Sequence, residues 1–291
     1  MHSSKSPGLD GMSPSFFQKF WHIVGHDVTT IVLSVLNFGH VLRKMNHTHI
    51  VLILKKNDPT HMGDYRPISL ANVISRIVSK VIANCLKFIL PNVISDAQSA
   101  FVPNCLITDN TTIAYKLLHR LWNRRKGKKG QMVVKLDISK AYDKMEWIFL
   151  QQMMVKLGFD PTWIQLAMET VTTTSYSILI NGKPKGFITP TRGIRQGDPL
   201  SPYLFLMCVE GLSALVRKAG ETGVLKGIKS SQNGIWVSHL IFANDSLLFC
   251  QATMEESQKL LQVLAQYEAA SGQAINRRKT SLFFSKNTVS D

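Results

Sequence analysis

Residues 132–147 read MVVKLDISKAYDKMEW. The run from 132 to 136 is apolar with two adjacent valines, the pattern of a strand buried on both faces, and it ends at Asp137. A second stretch, LIFANDSLLF at 240–249, fits two strands, 235–242 and 247–250, around a turn at Ala243, Asn244 and Asp245. A carboxylate at a strand end and another at a hairpin tip can meet on one edge of a sheet, however far apart they lie in sequence. The plainer alternative is that Asp137 caps a helix and Asp245 only turns a hairpin. Neither residue alone decides between the two readings.

Outward from these stretches, Phe16, Phe20, Ile23, Val24, Val28, Ile31 and Val35 recur at helical spacing and predict a helix over 14–38. A strand is expected at 49–54, with turns at Asp58-Pro59 and Gly63-Asp64. A helix over 71–90, ended by Pro91, and another over 109–122 follow. Further helices are expected at 147–157, 163–171, 202–219 and 254–270, the last with Leu260, Leu264 and Tyr267 on one face. Residues 175–180, Asn181-Gly182 and 185–189 form a hairpin signature, because Asn-Gly accepts the positive φ angles of a tight turn. A strand at 281–284 closes the series. Helices interleaved with hairpins, without regular strand–helix–strand alternation, give an α+β class with an antiparallel sheet backed by helices. The stretch before residue 130 reads as mainly helical and separable.

The chain has 291 residues, 45% of them hydrophobic, enough to bury a core. No apolar run approaches the length of a membrane span, and the N-terminus lacks a secretory layout. The expectation is an intracellular protein, nuclear or cytoplasmic, neither secreted nor in a membrane. Lysine and arginine outnumber aspartate and glutamate 34 to 19, a net charge of +15. The excess clusters at Arg120, Arg124, Arg125, Lys126, Lys128 and Lys129, and again at Arg277, Arg278 and Lys279. Such clusters favour a polyanionic partner through counterion release, although a solvated surface has the same look. Cys85, Cys105, Cys208 and Cys250 form no CxxC pair, and His47 and His49 do not suggest zinc.

A third stretch, TRGIRQGDPLSPYLF at 191–205, is a backbone-rich loop followed by a helix. In one reading Asp198 or Ser201 is an N-cap and Pro202 a first-turn proline. In the other, Gln196 and Gly197 form a flat surface, with Arg195 beside it, that can lie against a base and its template partner. Paired carboxylates suit magnesium, a hard ion that takes a few carboxylates plus substrate phosphates. Two such ions can activate a primer 3′-hydroxyl and stabilise leaving pyrophosphate.

Taken in order, these segments resemble the reverse transcriptase of non-LTR retrotransposons, of the LINE type abundant in plant genomes. SPGLDGMSPSFFQKFW (6–21), HIVLILKKNDP (49–59) and DYRPISLANVISRIVSKVIANCL (64–86) look like the family's finger segments. QSAFVPNCLITDN (98–110) looks like the link into the palm. The resemblance implies a right-hand polymerase with fingers at 1–129 and a palm with the metal site at 130–291. It implies an RNA template, a DNA primer and deoxynucleoside triphosphates as partners, and two Mg2+ ions as cofactor. Asp137 would bind both ions with the Ile138 carbonyl as a further ligand, and Asn244 and Asp245 would complete the catalytic set. Tyr142 would stand under the sugar, Arg66 and Lys55 would meet the triphosphate, and Gln196 and Gly197 would pack on nucleotide and template. Lys279, in SGQAINRRKTSLFF (271–284), would approach the leaving pyrophosphate.

Three departures bear on activity. The family's hairpin reads FADD, whereas here it reads FAND, with Asn244 in the place of the principal metal ligand. An amide oxygen can coordinate a hard cation but brings no charge. Asp245 is not expected to compensate, because consecutive strand residues point to opposite faces. Cys85 and Cys105 stand where the family usually has Arg, and Leu54 where it usually has Pro, which fits decay of a silenced element. The chain stops soon after Lys279, so no thumb, RNase H region or zinc knuckle is expected, nor the family's N-terminal endonuclease. The expected function is RNA-directed DNA polymerase by descent, impaired by Asn244. The alternative is a non-catalytic nucleic-acid-binding relic of a retrotransposon. An intron maturase would need a C-terminal RNA-binding extension.

Overall fold

The computed structural model describes residues 1–103, 105–127, 129–230, 234–243 and 245–288, with the backbone alone at 107. In chain order its elements are α1 (Pro14–Lys19), α2 (Trp21–Phe38), α3 (Arg43–Asn46), β1 (His47–Leu54), β2 (Tyr65–Leu70), α4 (Val73–Val93) and α5 (Ile107–Asn123). Then come β3 (Gln131–Ser139), α6 (Trp147–Lys156), α7 (Pro161–Thr172), β4 (Ser175–Ile180), β5 (Lys183–Ile188) and α8 (Ser201–Glu221). The last are β6 (Ile228–Lys229), β7 (Trp236–Val237), β8 (His239–Phe242), β9 (Asp245–Gln251), α9 (Met254–Ser271), β10 (Ala274–Ile275) and β11 (Ser281–Phe284).

Most expected elements are present, with three differences of physical interest. The first helix is two, because Phe20 leaves helical geometry at φ −104° and ψ 22°. Pro91 does not end α4 but lies inside its last turn, where a missing N–H removes only one bond near a helix end. Residues 65–70, where the local pattern predicts no element, are a strand. Its Pro67 sits opposite Leu52 in an antiparallel pairing with β1.

The chain forms two compact units, and each takes two stretches of sequence. One contains Met1–Leu86 and Met154–Pro202, the other Lys87–Met153 and Tyr203–Asp291. This interleaving differs from the contiguous division at 129/130. Its cause is β1, which pairs in parallel with β4 and so draws the later segment into the first unit.

In the first unit a mixed sheet runs β2-β1-β4-β5. Asn181 and Gly182 turn β4 into β5 with φ of 50° and 74°, as an Asn-Gly hairpin requires. Caps fix the helix ends. Ser13 accepts the Phe16 amide at the start of α1, and Asp160 accepts the Thr162 amide at 2.8 Å before α7. Beside the sheet Arg195 and Asp198 form a buried ion pair at 2.9 Å. Arg195 Nη1 also donates to Asn46 Oδ1 at 2.7 Å, and Asp198 accepts from Ser79 Oγ and the Leu200 amide.

In the second unit the sheet order is β10-β3-β9-β8, with β11 also on β3, and every pairing is antiparallel. β3 is therefore central, with β9 along one edge and β10 and β11 sharing the other. Met132, Val134 and Leu136 point to one face, where Leu212 and Val216 of α8 and Leu260, Leu264 and Tyr267 of α9 cover them. Val133 points to the other, with Phe249, Leu240, and Leu117 and Leu121 of α5. This two-sided cover explains why the strand reads as a nearly continuous apolar run.

A buried polar chain ties β8 to α8. Ser95 donates through its amide and hydroxyl to Glu210 Oε2, at 3.1 and 2.9 Å. Its hydroxyl then accepts from Ser213 Oγ, which in turn accepts from His239 Nε2 at 2.7 Å. Burial, aided by Arg217, lowers the His239 pKa from 6.5 to about 4. The unfolded chain thus binds the proton more readily. Stability from this site is complete above the unfolded value of 6.5 and falls as pH drops toward 4, by about 3 kcal/mol in total. Urea unfolding at pH 7 and pH 4 is expected to show that smaller loss in His239→Gln than in the parent. Equal losses would mean that His239 does not titrate with folding.

Among the described residues no helix is long and apolar enough to cross a membrane.

Candidate active site

The second unit brings two of the sequence-selected carboxylates together. In the β3–β9 ladder Asp137 lies directly opposite Asp245. Residues directly opposite in an antiparallel pair share a face, with Cβ atoms roughly 5 Å apart. Asp245 therefore stands on the face of Asp137, contrary to the expectation that it points away. Asn244 itself lies outside the described residues. Like charges directly opposite one another destabilise a sheet unless a cation lies between them.

Asn276 anchors Asp137. Its amide donates to the Asp137 carbonyl at 2.8 Å, and its side-chain Nδ2 donates to Asp137 Oδ2 at 3.1 Å. The Asn276 carbonyl accepts the Lys279 amide at 3.0 Å, so the exposed Lys279 belongs to a turn fastened to the carboxylate. Sequence reasoning missed Asn276, for no local pattern marks it. Ile138 buries its side chain on the opposite face, paired with Ile275 of β10. Tyr142, half-buried after β3, stacks on Phe205 of α8 with centroids 5.3 Å apart, and burial raises its phenol pKa.

The backbone around the pair is unusual. Among the described residues only Phe101, Lys140, Asn181 and Ala243 are non-glycines with positive φ. Lys140 follows Asp137 by three residues and Ala243 precedes Asp245 by two. Each costs about 1–2 kcal/mol in this region, a strain that surrounding contacts must hold. For Ala243 one such contact is Gln98, which is 3% exposed. Residues 97–99 run along β8, with the Ile241 amide donating to the Ala97 carbonyl at 2.7 Å. Gln98 Oε1 accepts the amides of Ala100 at 2.9 Å and Ala243 at 3.3 Å. Gln98→Met keeps the bulk and removes the acceptor. Hydrogen exchange at the Ala243 amide is expected to quicken by roughly tenfold, the scale of one lost buried hydrogen bond. An unchanged rate would show that other contacts hold the turn.

The first unit gathers the remaining predicted residues on the β1–β2 hairpin. Arg66 is exposed opposite Ile53, and Lys55 continues the same parity. Lys55 Nζ donates to the Gly63 carbonyl at 3.0 Å. The Gln196 carbonyl accepts the Ser69 amide at 3.1 Å, which lays the Gln196-Gly197 turn against β2. Gly197 has φ +98°, a conformation that L side chains rarely adopt, and a Cβ there would come within 3.8 Å of the Ser69 carbonyl. Arg195, next to this turn in the chain, is buried against Asp198 and 6% exposed.

Among the described residues no group of three or more His, Cys, Asp and Glu side chains is placed to hold a metal ion. Mg2+ does not need one, since one or two carboxylates plus substrate phosphates suffice. The facing Asp137 and Asp245 fit that requirement.

A fold of this kind occurs in a solved structure of apo telomerase from Candida tropicalis, truncated from its C-terminal domain. The TM-score is 0.53 at 12% identity, over 91% of this chain and 56% of that one. A profile of the reverse transcriptase (RNA-dependent DNA polymerase) family matches residues 53–290. The chain therefore belongs to the reverse transcriptase family.

It is 31% identical to the transposon TX1 149 kDa protein of Xenopus laevis, over 97% of this chain and 21% of that protein. It is 28% identical to the Pol polyprotein of the R2 retrotransposable element of Nasonia vitripennis, over 84% of this chain and 22% of that protein. A mitochondrial protein of Arabidopsis thaliana, AtMg01250, is 57% identical over a shorter stretch, 23% of this chain and 56% of that protein. The chain thus spans about a fifth of the length of the first and second of these relatives. Reverse transcriptase domains generally use divalent metal ions, nucleic-acid template and primer, and deoxynucleoside triphosphates.

Proposed function

We propose that this chain carries the RNA-directed DNA polymerase site of a non-LTR retroelement, extending a DNA primer on an RNA template. The observation that supports it most is the carboxylate pair, Asp137 opposite Asp245, on the strand end where Asn276 fixes one of them. Asp137, Asp245 and the Ile138 carbonyl would hold two Mg2+ ions. Bound there, the ions supply activation of the 3′-hydroxyl and charge neutralisation at the leaving pyrophosphate.

The chain's own residues do the rest. Tyr142, its ring supported by Phe205, limits the space beside the sugar and disfavours a ribose 2′-hydroxyl. Arg66 and Lys55 bind the triphosphate as exposed cations. Gln196 and Gly197 present backbone to nucleotide and template, and Lys279 meets the pyrophosphate. The first unit supplies the fingers and the second, which holds the carboxylate pair, the palm. The short, higher-identity Arabidopsis match supports a plant LINE origin.

The test is Mg2+-dependent primer extension on an RNA template, comparing the parent with Asp137→Ala and Asp245→Ala. Extension by the parent that either substitution abolishes is the expected result. The FAND sequence favours a second reading, a nucleic-acid-binding relic without chemistry. Absence of extension from the parent and from Asn244→Asp would move that reading ahead.

A further inference from the structure

Helix α5 carries an exposed aromatic stripe that the polymerase chemistry does not use. Leu117 and Leu121 pack on Val133, Leu240 and Phe249. By strand alternation Val133 shares a face with Asp137, and Phe249 with Asp245. The helix therefore lies on the sheet face that bears the carboxylate pair. Its first turn is fastened near the carboxylate end, where Asn110 Nδ2 donates to the Ile241 carbonyl at 3.0 Å. From there it extends for about 25 Å to the basic loop before β3.

The outward side of α5 bears Tyr115, His119 and Trp122, spaced four and three residues apart on one helical face. Tyr115 is 69% exposed and Trp122 62%, unusual for rings of this size on a helix that has its own core contacts. Tyr115 stacks on His119, and Lys286 Nζ sits 4.7 Å over the Trp122 ring. Beyond Trp122 come Arg125, Lys126 and Lys129, all exposed. Asn287 Nδ2 ties that loop in place by donating to the carbonyls of Gly127 and Lys129. Residues 110–136 contain eight lysines and arginines and no acid, so nothing within the segment neutralises the loop.

Exposed rings in line with a run of cations are what a single-stranded nucleic acid requires. Its bases stack on the rings in any sequence, and its phosphates are drawn to the charge. A duplex keeps its bases stacked internally and gains only the charge.

We propose that the α5 face is a single-strand track, which holds unpaired RNA template along Tyr115, His119 and Trp122 and on to the basic loop. The choice of RNA rests on the polymerase reading above. The track's existence rests on α5 alone.

Binding is read without metal, in chelator, so that it does not depend on turnover. The full chain is titrated against a fluorescein-labelled oligouridine of about fifteen nucleotides, and against an RNA duplex of equal length. Tyr115→Ala with Trp122→Ala is expected to weaken single-strand binding by at least roughly tenfold, with a much smaller effect on the duplex. Tyr115→Phe with Trp122→Phe keeps the rings and is expected to retain binding. Replacing Arg125, Lys126 and Lys129 by Gln is expected to reduce the logarithmic salt slope by about two. Binding that stays within about twofold in the Ala pair, or equal losses for strand and duplex, would overturn the proposal. So would a shift from dimer to monomer in the Ala pair with RNA binding intact, which would assign the stripe to a second copy of the chain. A chain that binds the strand as expected yet extends no primer, either as the parent or as Asn244→Asp, would sink the polymerase reading and leave the track standing.

Discussion

Asn244→Asp is expected to raise Mg2+-dependent primer extension by roughly two to four decades, the rate equivalent of about 3–5 kcal/mol of charge stabilisation. The amide at 244 offers an oxygen but no negative charge to offset two divalent ions. Asn and Asp are nearly equal in size and both suit tight turns, so the exchange adds charge with little change of shape. The position of Asp245 sharpens the experiment. Because it faces Asp137, the parent already has two carboxylates on one face. If the parent extends primers within tenfold of Asn244→Asp, that pair is sufficient and the inactivation argument fails. If only Asn244→Asp extends, a third carboxylate is required and the parent is a polymerase disabled at one ligand. Titration with Mn2+, followed by its paramagnetic signal, should show tighter binding in Asn244→Asp in the second case and little change in the first.

Asp198→Ala is expected to destabilise the first unit by about 3–5 kcal/mol, the largest stability effect foreseen. Both members of the Arg195–Asp198 pair are almost fully buried, so the substitution strands a guanidinium in the interior. It also removes the acceptor used by the Leu200 amide and the Ser79 hydroxyl. Arg195 retains Asn46 and Thr48, which are neutral partners and do not balance its charge. Replacing both residues together, Arg195→Met with Asp198→Leu, is expected to recover part of the loss, because no unpaired charge remains. Urea unfolding of the single and double variants measures this. A cost under about 1 kcal/mol for Asp198→Ala would place the pair among weakly coupled surface contacts.

The fold was legible where a residue's neighbours in sequence are also its neighbours in space. The apolar run of β3, the Asn-Gly hairpin of β4 and β5 and the amphipathic face of α9 were all readable in this way. β2 was not, because Tyr-Arg-Pro-Ile-Ser-Leu has a proline and little alternation. It is a strand through its pairing with β1. The interleaving of the two units was hidden for a related reason: the β1–β4 pairing joins residues over a hundred positions apart, and no local pattern announces it. In the candidate site the carboxylates and the Gln196-Gly197 turn stood out as motifs. Asn276 and Gln98 did not, since an Asn or Gln becomes a support only through tertiary contacts. The burial of Arg195 was not legible either, since its partners Asn46 and Thr48 lie far away in the chain.

The central place of β3 also bears on how the molecule is made. A ribosome releases Asp137 long before it releases Asp245, and later still the residues of β10 and β11 that close the other edge of β3. Until then an apolar strand with unpaired backbone waits in a partly built sheet, a form that invites edge-to-edge aggregation. The long loop closures also slow the pairing itself. The acid pair cannot assemble before β9 is released, and a nascent chain interrupted before Asp245 carries the motif Leu-Asp-Ile-Ser without the strand that completes the pair.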